Sequence, residues 1–382
     1  MTKRCHLRPG YRAQGLALLV VIALSSVGEL SAQGRWTPER AAEWRKQVGW
    51  LAGGNYIPRT AINQLEMWQA DSFDPKTIDQ ELGWAESVGF NSMRVFLHDL
   101  LWQQDSAGLL KRMDQFLGIA EKHKIGILFV FLDGVWDPQP QLGKQRAPKP
   151  RVHNSGWVQS PGSAILGDPK RHDELKPYVQ GVLRHFAKDK RIHAWDLFNE
   201  PDNTNNTAYG KVELKNKREM AMAMLRKVFA WAREVNPDQP LTVGMWIDRD
   251  WADPQNMTPV ARYALDNSDV ISFHAYSKPD ETQKRIDFLK QFNRPMLCTE
   301  YLARGFGSTI QDVLPLLKKN DVGAYIWGLV DGKSQTIYPW VSWEKPFTAE
   351  PQPWHHDIFR ADGKPYSEEE IRVIKSVTGA KR

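Results

Sequence analysis

Residues 125–132 read Ile125-Gly126-Ile127-Leu128-Phe129-Val130-Phe131-Leu132. No polar side chain interrupts the run, so a strand built from it can turn neither face to water. A strand with one wet face would alternate apolar and polar residues; this one calls for a parallel sheet covered on both sides. Working outward, seven more short apolar runs occupy 50–57, 92–97, 193–198, 241–246, 270–275, 295–299 and 322–329. Helical patterns follow them. Asp74-Pro75 supplies a cap and a first-turn proline for a helix through Val88, and Ser367 with Glu370 forms a capping box for the last one. The others are predicted near 109–123, 173–188, 213–235, 257–266, 281–292 and 309–319. Eight alternations of strand and helix predict an α/β fold of the closed (β/α)8 TIM-barrel type rather than an open doubly wound sheet.

The chain has 382 residues, 41% hydrophobic and 25% charged, the balance of a globular protein with a large core. Its N-terminus differs from the rest. Lys3, Arg4, Arg8 and Arg12 precede the apolar run Leu16 to Leu24, and small residues follow to Ala32, which is the order of a secretory signal. The run is too short for a permanent anchor, since a spanning helix takes roughly 20 apolar residues. Residues 1–32 are therefore expected to be a signal peptide and 33–382 a single barrel domain, secreted or periplasmic, without stable membrane insertion and monomeric. Without the leader the net charge falls from +6 to +3, and no Lys/Arg-rich block with interleaved aromatics remains, which argues against nucleic acid as a partner. Cys5 goes with the leader, so Cys298 has no disulfide partner.

Sixteen tryptophans are many for this length. Trp136, Trp157, Trp251, Trp340, Trp343 and Trp354 stand in polar, Pro- and Gly-rich stretches, where flat rings suit the apolar faces of sugars as well as they fill a core. The long irregular segments 133–170 and 331–366 follow the third and eighth strands and should rim the C-terminal face, where barrel sites lie.

Two strand ends carry the chemistry. Trp195-Asp196-Leu197-Phe198-Asn199-Glu200-Pro201 ends an apolar strand in an amide and a carboxylate, and Met296-Leu297-Cys298-Thr299-Glu300-Tyr301 ends another in a second glutamate. Paired carboxylates facing one cavity are what glycoside hydrolysis requires, one to attack the anomeric carbon and one to protonate the departing oxygen. On these motifs the mature chain resembles glycoside hydrolase clan A, most closely the cellulase and mannanase family 5.

The resemblance implies roles residue by residue. Glu200 matches the acid/base and Glu300 the nucleophile. Arg94 in Asn91-Ser92-Met93-Arg94-Val95 matches the arginine that supports the nucleophile, and Asn199 the amide that binds the sugar 2-hydroxyl. His274 and Tyr276 in Ser272-Phe273-His274-Ala275-Tyr276 match the pair lining the site, and Trp327 the platform beneath the sugar. One departure stands out: the family commonly has a histidine after the third strand, where this chain has Asp133, and His153 in the following loop is a substitute. His98, beside Asp99, is a further candidate for substrate contact.

The expected substrate is a β-linked carbohydrate, with mannan or glucan leading. Many rim aromatics suggest several subsites and hence an endo-β-1,4-glycanase; exo-acting β-mannosidase or β-glucosidase-like action, a xylanase, or an inactive carbohydrate-binding barrel are the alternatives. No cofactor and no metal are expected. Gly332-Lys333-Ser334 lacks the upstream glycine of a phosphate loop, and there is no GxGxxG after a strand, no HExxH and no cysteine cluster.

Overall fold

Each apolar run becomes a strand: β1 Ala52–Asn55, β2 Ser92–Phe96, β3 Gly126–Asp133, β4 Ile192–Asn199, β5 Leu241–Met245, β6 Ile271–His274, β7 Met296–Tyr301 and β8 Gly323–Trp327. All neighbours pair in parallel and β8 returns to β1, closing the barrel in chain order. The computed structural model describes residue 2 and residues 34–246 and 257–380. The rest of the leader, Trp251 and Asn256 of the glycosylation-type triplet Asn256-Met257-Thr258 lie outside these. Among the described residues no helix is long and apolar enough to cross a membrane.

β3 is buried along nearly its whole length, as its composition requires. Outward-facing Phe129 and Phe131 stack on Trp195 of β4 at 5.7 and 5.2 Å, in the layer between strands and helices. Inward-facing Leu128, Val130, Ala194, Leu297 and Tyr325 fill the barrel. β1 tolerates glycine for a steric reason. A Cβ on Gly53 would lie 1.5 Å from the Ser92 carbonyl oxygen of β2, so only glycine fits.

Two features depart from the sequence reading. The helix predicted to start at 109 spans Asp99–Lys122, bent at Asp105 where φ is −162° and ψ 77°, and His98 caps it by accepting from the Leu100 amide. An unanticipated helix, Pro38–Val48, lies under the barrel. Thr37 caps it and Pro38 opens it. Its Trp44 donates to the His193 carbonyl at the foot of β4, and the Trp36 amide donates to Asp269 below β6, so the N-terminal end is plugged and the site can form only at the other.

Candidate active site

The strand register brings the motif residues together. Asn55 stands beside both Arg94 and Trp327, Asp133 beside Asn199, and His274 beside Glu300. At the centre is Arg94, fully buried in the barrel. Its Nη1 donates to Glu300 Oε1 at 2.8 Å and to Asn55 Oδ1 at 2.8 Å. Its Nη2 donates to Asp196 Oδ2 at 2.7 Å and to Asn199 Oδ1 at 2.6 Å. A buried guanidinium needs such partners, because an unpaired charge in this position would cost several kcal/mol. Asp196 has no role assigned by the motifs that point to the site. An acidic residue at an inward position of an otherwise apolar strand was the available signal, and Asn55 gave none.

Gly244 on β5 makes room for this cluster. A Cβ there would sit 2.7 Å from Arg94 Nη2, 3.0 Å from Asn199 Oδ1 and 3.1 Å from Asp196 Oδ2. Gly244→Ala is expected to lower stability by about 1–3 kcal/mol through overpacking. A shift of Arg94 should also lower kcat/KM by roughly 10²-fold, the usual effect of displacing a positioning group by about 1 Å. Thermal unfolding and steady-state kinetics on the same preparation check both.

Glu300 receives a donor on each oxygen, from Arg94 on Oε1 and from the Tyr276 hydroxyl on Oε2 at 2.6 Å. Glu200 is held differently. Asn203 Nδ2 donates to its Oε2 at 2.7 Å, and its Oε1 shares a 2.6 Å hydrogen bond with His274 Nδ1. Burial pushes both carboxyls up to about 7; Glu200 adds to the rise at Glu300, where His274, Arg94 and Tyr276 pull the other way. Two buried carboxyls this close share a proton, and the donors on Glu300 favour its anion, leaving the proton to Glu200. Burial lowers His274 to about 4, so its imidazole is neutral, and raises Tyr276 so that it stays a phenol. One donor atom each of Glu200, His274 and Glu300 lies within 4.8 Å of the others, a set of metal-ligand type. Arg94 already supplies the positive charge at this point.

Backbone shape sets the aim of Glu200. Its φ is 43°, in the left-handed region, and Pro201 behind it disfavours the right-handed alternative. Its amide is tied to the Gly244 carbonyl at 2.8 Å, and Gly134 passes so close that a Cβ would lie 2.2 Å from the Glu200 carbonyl oxygen.

Above these groups lies a cavity of about 300 Å³. Asn199, Glu200, Tyr276, Glu300 and Trp327 line it, and so do Trp136, Trp157, Trp340 and His153. Trp157 and Trp327 meet edge-to-face at 5.7 Å, with Phe96 against both at 5.1 and 5.8 Å. Asp133 stands behind this wall, accepting from Trp157 Nε1 at 2.6 Å and from Asn199 Nδ2 at 2.9 Å. It orients a wall tryptophan and the strand-end amide.

Other candidates fall elsewhere. His98 is not in the cavity wall: it is fully buried, caps the following helix and lies against Asp99 at 3.1 Å, so substrate contact is replaced by a local structural role. Trp354 is a core residue, stacked on Tyr366 at 4.6 Å in a small cluster of its own. Asn205, which opens the glycosylation-type triplet Asn205-Asn206-Thr207, is buried and spends its amide on the Gly134 carbonyl and Glu213, which leaves it unavailable to a glycan.

Known proteins share this architecture. Residues 151–330, which carry β4 to β8, match the family described as Cellulase (glycosyl hydrolase family 5). No curated protein matches the chain. Among solved structures, a β-1,4-mannanase from the sea hare Aplysia kurodai superposes with a TM-score of 0.53 at 17% identity, over 73% of this chain and 87% of that one. The β-mannanase of the blue mussel Mytilus edulis gives 0.51 at 16%, over 79% and 93%. An exo-β-1,4-mannosidase from Opitutaceae bacterium strain TAV5 gives 0.57 at 17%, over 87% of this chain and 60% of that one. At such identities the likeness speaks for the fold. With the family match, it makes the protein a glycoside hydrolase. Within that class it is family 5-like over residues 151–330.

Proposed function

We propose that the protein hydrolyses β-linked glycosides with retention of anomeric configuration, Glu300 acting as nucleophile and Glu200 as acid/base. The observation that carries this reading is the separation of the two carboxylates, with an oxygen of each within 4.8 Å of the other. Retaining enzymes hold the pair about 5–5.5 Å apart, whereas inverting ones need about 6.5–9.5 Å to admit a water between carboxylate and sugar.

In the first step a Glu300 oxygen bonds to the anomeric carbon as the bond to the leaving oxygen breaks, and the proton of Glu200 passes to that oxygen. In the second, the Glu200 carboxylate takes a proton from water, whose oxygen displaces Glu300 from carbon and frees it as carboxylate. Arg94 and Tyr276 hold the nucleophile ionised and aimed. Asn199 faces the sugar 2-hydroxyl, and Trp327 offers a flat apolar surface beneath the ring. The mannanase and mannosidase names among the structural relatives make β-mannosides the leading substrates, with β-glucosides next. Proton NMR of the first-formed product, on whichever aryl β-mannoside or β-glucoside is turned over, should show the β-anomer; an initial α-anomer would mean inversion and end this reading.

A further inference from the structure

The two long loops leave β3 and β8, strands separated in the barrel by β1 and β2. They nevertheless join. The Asn154 amide donates to the Ser334 carbonyl at 2.8 Å, and Gln335 Nε2 donates to the Lys149 carbonyl at 2.8 Å. His153 is fixed three times over: its amide donates to Ser342 Oγ at 2.9 Å, its Nδ1 bonds the Tyr338 carbonyl at 2.8 Å, and its carbonyl accepts from Trp343 Nε1 at 2.9 Å. His153 and Asn154 are 1% and 0% exposed, so this is packed structure and not a draped loop.

What lies behind the joined loops fixes their meaning. Trp157 and Trp327 border the cavity on one face, and on the other a separate void bounded by Asn55 of β1 and Ile57 just after it, by Phe96 of β2, and by Asn154 and Ser334. That void measures about 10 Å³, the room of about one water molecule. No sugar ring fits there. The bridge therefore crosses the mouth of the barrel above β1 and β2 and ends the cavity on that side. The rim aromatics belong to it: Trp340 and Trp343, three apart on one turn of 3₁₀-helix, flank His153, and Trp340 also borders the cavity.

The direction of the substrate follows from the acid/base, and so this step rests on the roles proposed above for Glu200 and Glu300. The group that receives Glu200's proton must leave on the Glu200 side, where Asn203 to Thr207 line the cavity. The retained sugar then lies toward Trp327 and Trp157, against the closed side. We propose that the β3–β8 bridge makes the enzyme exo-acting: it admits only a terminal, non-reducing sugar and releases single units from β-linked oligosaccharides. This reverses the endo-action expected from the tryptophan content. A cavity of about 300 Å³ agrees, being at the small end of the roughly 300–1,000 Å³ of small-ligand sites.

The test uses 4-nitrophenyl β-mannoside, β-glucoside and β-xyloside with the matching 4-nitrophenyl β-1,4-biosides. For the sugar that is turned over, the monoside should release phenol at once and at least ten-fold faster than the bioside, whose phenol should appear only after a lag while free monosaccharide accumulates. Immediate phenol from the bioside with the intact disaccharide as co-product, at ten-fold or more over the monoside, would overturn exo-action and leave the hydrolase reading standing. No turnover of any of the six would overturn both.

Discussion

Glu300→Ala should lower kcat/KM by roughly 10⁵-fold, in the range found when a covalent nucleophile is removed, without loss of folding. Folding should survive because Arg94 keeps Asp196 as its ion-pair partner at 2.7 Å, and because the desolvation cost of a buried carboxyl is removed with it. The melting temperature is expected to hold or rise, as it often does when a strained active-site group is deleted. Azide added with an activated aryl β-glycoside should enter the vacated space below the ring and give the α-glycosyl azide. Glu200→Ala should instead yield the β-azide, since Glu300 still forms the glycosyl-enzyme and azide then attacks the opposite face. If the anomers are exchanged between the variants, so are the roles.

Arg94→Met should be costly in both stability and rate. The side chain is apolar and of similar length, yet it leaves Asp196 and Glu300 buried without their cation. Breaking one side of a buried ion pair costs about 3–5 kcal/mol, read as a melting temperature lowered by several degrees. The pH profile separates an electrostatic effect from mere loosening. Arg94 stabilises the Glu300 anion, so its loss raises the pKa of Glu300, and activity is lost at a higher pH as acid is added. The acid limb of kcat/KM should move up. An unmoved limb with reduced kcat would leave Arg94 only a packing role.

The barrel was legible because its strands are buried on both faces and therefore written as uninterrupted apolar runs, β3 most plainly. The helix Pro38–Val48 was missed because it precedes the first strand and offers few buried positions, Ala41 and Trp44, to mark its inner face. The bend at Asp105 hid the first turns of the helix after β2. Glu200, Glu300, Arg94, Asn199, His274, Tyr276 and Trp327 could be located because each stands at or near the end of a strand, where register fixes its neighbours. Asp196 and Asn55 were harder: their partner Arg94 comes from another strand, and nothing local in sequence announces a contact made across a barrel. The joining of the two loops was out of reach altogether. Its bonds run largely through backbone carbonyls and amides, which every residue type provides, so composition could identify rim loops but not that they meet.

The bridging hydrogen bonds touch neither Glu200, Glu300 nor Arg94, which are carried by strand ends. On the roles proposed above, bond-breaking chemistry and the choice of where along a chain to cut are encoded in different parts of the polypeptide. On the same proposal, a descendant with shortened insertions after the third and eighth strands is expected to keep its reaction and trade trimming of chain ends for attack within them.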